Sequence, residues 1–225
     1  MKLFVVQTGI TQLITRKYTL THMAFIGTAF CLLLVMARMY YTGNTSYAFM
    51  VWNLFLGYVP FILSNAMARF TVLVQRWYLL LPILGLWLLF LPNAPYMITD
   101  LFHLEPFGPV PQWYDLFLLC SFAFTGVLVG YLSMAQVKSL LQQRFDAKLR
   151  GFNLPVIWAC AAGVYIGRFL RWNSWDLFTR PLDVLGDMFG IIFHPAQYPG
   201  AWGFTLCMGG FMSILYYTAK KIPER

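Results

Sequence analysis

Apolar runs of about the length that crosses a bilayer, separated by short polar turns, govern what this chain can become. They cover residues 20–41, 47–68, 113–141, 154–170 and 198–219, with a shorter one at 77–91. A hydrocarbon core of about 30 Å takes roughly 20 helical residues to cross. Only 11% of the residues are charged, against about 25% in a soluble domain, so most of the chain has lipid as its solvent. The expectation is an all-α, polytopic transmembrane helix bundle of about six spans. It forms a single membrane domain over 20–219, between a basic N-terminal segment (1–19) and a basic tail (220–225). The first run is of full spanning length and has no small-residue cleavage site, so it reads as a retained span. Arg38, near its outer end, is expected to snorkel to the headgroups.

The third run is too short. Fifteen residues at 1.5 Å rise make about 22 Å, and Pro92 and Pro95 then stop helix propagation. The expectation is that 92–99 continues into the outer leaflet as irregular or re-entrant backbone, tolerated where protein or a watery cavity covers it. The segment 180–194 places Leu182, Leu185, Phe189 and Ile192 on one helical face and Asp183, Asp187 and His194 toward the other, which predicts an amphipathic helix lying along the interface. Gly126 with Gly130, and Ala159 with Gly163 and Gly167, are spaced for close helix packing.

The net charge of +8 is distributed by side. With six spans, twelve Lys and Arg fall on the side of both termini and four (Arg38, Arg168, Arg171, Arg180) on the other. The positive-inside rule then places the termini in the cytoplasm of a multi-pass cell-membrane protein. No basic stretch interleaved with aromatics suggests nucleic acid. Cys31, Cys120, Cys160 and Cys207 lie in apolar runs without paired spacing, so they read as small buried hydrophobes rather than disulfides or metal ligands.

Polar residues at membrane depth mark functional candidates. Asn93, Tyr96, Thr99, Asp100, His103 and Glu105 follow the proline break, and Arg168, Arg171, Asn173, Ser174 and Asp176 follow the fifth span. The assumed topology puts both sets on the extracytoplasmic face. Asp100 and His103, spaced i, i+3, are the acid–base candidates. The other reading is that Asp100 caps the short helix or pairs with Arg168 or Arg171. Arg168 and Arg171 can grip a phosphate or carboxylate, or build an ion-pair network with Asp100, Asp115 and Asp176. Asn93 and Tyr96 can direct an amide and a hydroxyl inward, or satisfy backbone freed by the break. No metal site or cofactor is assigned, and P-loop, dinucleotide and nucleophile-elbow motifs are lacking.

Four stretches carry a resemblance: WNLFLGYVP (52–60), LFLPNAPYMITDLFHL (89–104), WYDLFLL (113–119) and GVYIGRFLRWNSWDLFTRP (163–181). On these the chain resembles the bacterial Domain of Unknown Function 1361 family of polytopic membrane proteins, over about 47–219. The resemblance implies an integral membrane protein and brings no established activity. Its motif positions coincide with Asn93, Tyr96, Thr99, Asp100, His103, Asp115, Arg168, Arg171, Asn173 and Asp176. Three functions stay open. The first is a protein binding or transporting a small anionic or lipid-headgroup ligand. The second is a membrane-embedded enzyme acting on a lipid-linked envelope substrate. The third is a structural partner of another membrane protein. The expected site is roofed by 92–112 and 180–194.

Overall fold

The structure, a computed structural model, describes residues 2–104, 109–146, 149 and 151–221, with side chains from Leu20 onward. Glu105, Lys148, Arg150, Glu224 and Arg225, and the side chains of Lys2, Arg16 and Lys17, lie outside the described residues. The described residues are helical throughout, with no strand among them. The helices are α1 (Lys2–Thr42), α2 (Phe49–Arg69), α3 (Val72–Gln75), α4 (Trp77–Phe90), α5 (Asn93–Tyr96), α6 (Gln112–Phe145), α7 (Asn153–Phe169), α8 (Asp176–Thr179), α9 (Pro181–Phe193) and α10 (Pro199–Lys221). Short 3-10 turns lie at Thr99–His103 and Pro195–Gln197. Leu20–Thr42, Phe49–Arg69, Trp77–Tyr96 and Gln112–Phe145 are each long and apolar enough to cross a membrane.

The proline break differs from the expectation. The chain does not turn irregular after Phe90: Leu91 (φ −58°, ψ −36°), Pro92 (φ −59°, ψ −24°) and Met97 (φ −59°, ψ −17°) all keep right-handed helical backbone. The physical reason is position. Pro95 lies in the first turn of α5, where the missing N–H is one that no helix would have bonded, and Pro92, just past the end of α4, forgoes only the bond to the Leu88 carbonyl. The result is one span of 20 residues, Trp77–Tyr96, with a break near its end.

That broken end is clasped by glycines from three helices. A methyl added at Gly126 of α6 would run into the Ala94 carbonyl oxygen, and one at Gly130 would lie 2.9 Å from the Ala94 side chain. One at Gly163 of α7 would lie 2.5 Å from Pro92, and one at Gly57 of α2 would lie 3.4 Å from the Ala94 backbone. The small residues of α6 and α7 therefore receive α5 rather than a full-length neighbouring helix.

Buried polar links tie the bundle together. The Trp87 indole donates to Ser133 Oγ (2.8 Å), which donates to the Pro60 carbonyl (2.8 Å), joining α4, α6 and α2. Near the start of α7, Asn153 bonds to Tyr216 near the end of α10, so these two helices run antiparallel.

Arg38 is a second correction. It does not snorkel: it is 4% exposed, and its Nε and Nη2 grip both carboxylate oxygens of Asp115 at 2.7 and 3.0 Å. The guanidinium also lies 3.9 Å from the centre of the Tyr47 ring. A fork that matches a carboxylate so closely outweighs the solvation a longer reach would recover. The cysteines are all free, but only Cys31 and Cys160 are buried. Cys120 and Cys207 face outward, where an apolar thiol is at ease against lipid.

Candidate functional site

The residues after the break meet those after α7. Asp100, in the 3-10 turn, is fully buried. Its Oδ1 accepts from Arg168 Nη1 (3.1 Å) and its Oδ2 from the Asn53 amide of α2 (2.9 Å). Burial pushes the Asp100 carboxyl above the usual carboxylate range, while the Asn53 hydrogen bond and the Arg168 guanidinium pull it back. Arg168 Nη1 also lies 3.4 Å from the Tyr96 hydroxyl.

His103 stands one 3-10 turn from Asp100, its side chain 44% exposed. Its Nδ1 lies 3.2 Å from Arg168 Nη2 and 3.3 Å from the Asp100 carbonyl. Arginine can only donate, so the first contact needs an unprotonated Nδ1 and the second a protonated one. The two contacts make opposite demands on one nitrogen, which lies between the Arg168 guanidinium and the Asp100 carbonyl. Thr99 is buried and donates to the Tyr96 carbonyl (2.7 Å), a local backbone bond.

Asp115 belongs to the separate Arg38 pair. Asp176 organises a turn: its Oδ2 accepts from the Asn173 backbone N–H (2.7 Å), and Arg180 reaches its Oδ1 at 3.9 Å. Arg171 is exposed, in left-handed conformation (φ 60°), where the chain leaves α7 and Trp172 N–H bonds back to the Ile166 carbonyl (3.3 Å). That conformation removes Arg171 from the face that carries Arg168, and it makes no hydrogen bond or ion pair with the described residues. The two arginines are not brought together as a clamp. No group of three or more metal-ligating side chains occurs among the described residues.

Beside this cluster lies a cavity of about 500 Å³, within the range of roughly 300–1,000 Å³ usual for ligand pockets. Leu56, Leu88, Leu89, Ile166, Val184, Leu185 and Met188 give it apolar walls, and Asn53, Asn93, Tyr96, Asn173 and Ser174 give it a polar lining. Trp52, Trp172 and Trp175 add indole surface. Among the described residues, no charged side chain lines it. Its α7 wall, from Ala159 to Gly167, runs along about 12 Å of helix. Trp52, Trp175 and Leu185 are themselves exposed, so the cavity opens to the outside between α2 and the α8–α9 region. Val184 and Met188 of α9 close one wall, while Leu182, Phe189 and Ile192 point out of the molecule. Residues 105–108 of the expected roof lie outside the described residues, and the 93–101 segment is packed among helices rather than laid over them, with Phe102 and His103 exposed at its end.

The sequence reading missed the cavity and left two of its polar members outside the candidate site. Asn53 reads as helix–helix glue ahead of a ligand contact; it does hold Asp100, and it also lines the cavity. Ser174 reads only as a nucleophile without a base; its Oγ accepts from the Asn93 amide at 3.1 Å, joining the two polar segments. The signal for both was their place inside the 52–60 and 163–181 motifs.

Several long apolar helices bound by buried polar contacts define a polytopic helical membrane protein. The chain matches the family described as protein of unknown function (DUF1361) over residues 52–215, and it belongs to that family. No curated protein and no solved structure matches it.

Proposed function

We propose that this is a six-span protein of the cell membrane that binds a lipid-like amphiphile in the cavity between α2, α4, α7 and α9, on the extracytoplasmic side. The observation that carries the reading is the cavity's two-part lining: hydrocarbon walls at the depth of the spans and uncharged polar groups at the broken end of the third. An amphiphile is the solute whose two parts match both. The α7 and α10 helices supply the fifth and sixth spans, and the charge count places both termini in the cytoplasm. Asn93, Tyr96 and Asn173 contact the ligand. Asp100, Arg168 and His103 hold the polar end in place from behind and couple it to protonation.

This reading shifts the anion-binding expectation, because Arg168 is engaged by Asp100 and Arg171 points elsewhere. A catalytic role is favoured by one observation, the half-exposed imidazole of His103 beside a buried carboxylate, which makes a proton-exchanging pair.

The test is thermal unfolding of the protein in an amine-oxide detergent, with and without a bacterial polar-lipid extract. The midpoint should rise with lipid, and Ala162→Trp, which fills the cavity, should abolish the rise. An equal rise in both proteins would exclude the cavity as the binding site.

A further inference from the structure

Three amide side chains line the cavity, and the orientation of each is fixed by what its nitrogen faces. The Asn53 Nδ2 donates to the Asp100 carboxylate, the Asn93 Nδ2 to the Phe90 carbonyl (2.9 Å), and the Asn173 Nδ2 to the Asp176 carboxylate (3.3 Å). An amide oxygen in any of these places would face another acceptor, so none can be flipped. Their Oδ1 atoms are therefore the acceptors left over, and none of them bonds to a described residue. The backbone adds to the same sign. Pro60 and Pro92 lack the N–H that would bond the carbonyls of Leu56 and Leu88, and both of these residues line the cavity.

A lining with surplus amide acceptors, to which the Tyr96 hydroxyl (accepting from Arg168) and the indole N–H groups of Trp52 and Trp175 add donors, suits a ligand whose groups both donate and accept. Phosphate and carboxylate bring only acceptors and a negative charge, and no cation among the described residues lines the cavity to hold them. An ammonium brings donors and a charge, but the carboxylate that would neutralise it, Asp100, is fully buried behind Asn53. Neutral hydroxyl groups remain, and indole faces are good surfaces for the C–H side of a polyol ring.

We infer that the cavity recognises the sugar ring of a glycolipid, with the Oδ1 atoms of Asn53, Asn93 and Asn173 accepting hydrogen bonds from its hydroxyls and the lipid chain leaving past Leu185 and Trp52. This rests on the amphiphile reading above and specifies its headgroup.

The experiment uses the full chain in phosphatidylcholine nanodiscs doped equally with monoglucosyl-diacylglycerol, phosphatidylglycerol and phosphatidylethanolamine, and reads by native mass spectrometry which lipid stays on the released protein. The glucolipid should be retained at least tenfold over either of the others. Asn173→Leu should erase that preference, since the Asp176 cap on the Asn173 backbone N–H survives it. Leu185→Trp, at the exposed rim and outside the bundle packing, should lower glucolipid retention as Ala162→Trp does.

Retention of phosphatidylglycerol or phosphatidylethanolamine instead, lost in the blocking variants, would overturn the sugar assignment and leave the amphiphile reading standing. Retention of no lipid, or retention unchanged by both blocking variants, would overturn both. Methyl glucoside displacing the glucolipid at equal concentration would support sugar recognition and overturn the lipid source.

Discussion

Asp100 shows how much one buried carboxylate demands of its surroundings. Both oxygens are taken, one by a guanidinium and one by an amide, and burial still wins in the direction of its titration. Removing the guanidinium should tip the balance further. Arg168→Gln leaves the carboxylate with the Asn53 amide and the more distant His103 ring (3.9 Å), and breaking a buried pair in this way costs about 3–5 kcal/mol. The folded state then holds a proton that the unfolded state has released, so stability is present at low pH and lost as pH rises through the folded-state value. Thermal unfolding of Arg168→Gln should show its full deficit near about pH 8 and a much smaller one near about pH 5. The double variant Asp100→Asn/Arg168→Gln should recover most of the loss at high pH. A deficit equal at both pH values would rule out desolvation of Asp100 as its cause. The sequence already named Asp100 and Arg168 as possible partners, because an intramembrane charge needs an opposite one. It had no means of choosing Arg168 over Arg171. That choice follows from one backbone angle, the positive φ at Arg171, which i, i+3 counting on an ideal helix does not contain.

At the scale of elements, the bundle is organised around one helical turn. α5 sits where Gly57, Gly126, Gly130 and Gly163 let backbones from three helices approach it. The spacing of Gly126, Gly130 and Gly163 was legible as close packing, that of Gly57 was not, and neither was the partner: small residues predict a near neighbour without saying which. The break itself was legible from Pro92 and Pro95. Its continued helical course was not, since a proline in a first turn and a proline that ends a helix look alike in sequence. The clasp gives a graded prediction. Gly126→Ala should destabilise most, because its methyl meets the Ala94 carbonyl, and Gly163→Ala should also destabilise, meeting Pro92 at 2.5 Å. Overpacking of this kind costs about 1–3 kcal/mol. Gly210→Ala, with nothing within 4 Å of the added methyl, should be neutral or stabilise by up to about 1 kcal/mol through helix propensity. Urea or thermal unfolding of the three variants checks the order. If Gly126→Ala and Gly210→Ala behave alike, α5 is not held by this contact.

At the scale of the whole molecule, the question is which face carries the Asn173 turn. Among the described residues four helices have the length and apolarity to cross, and four or six spans alike leave both termini on one side, so reporters at the termini cannot distinguish the counts. The loop after α7 can. The contacts of Arg168 with Asp100 and of Ser174 with Asn93 put the end of α7 at the same level as the end of the third span. The Asn153–Tyr216 contact shows α10 returning alongside α7. α7 begins after the 34-residue α6 and ends beside Asp100, the course expected of a fifth span. At 17 residues it offers about 25 Å of helix, short of an average bilayer by an amount that local thinning can absorb. Single cysteines in a background with the four native ones replaced by alanine decide the matter in intact cells. Asn44→Cys and Arg171→Cys should both react with a membrane-impermeant maleimide, and Phe70→Cys only after permeabilisation. If Arg171→Cys reacts only together with Phe70→Cys, α7 does not cross. The contacts of Arg168 with Asp100 and of Ser174 with Asn93 would then not hold, because Asn53 and Asn93 lie at the Asn44 end of the bundle, and the site built from them would be wrong whatever ligand it is assigned.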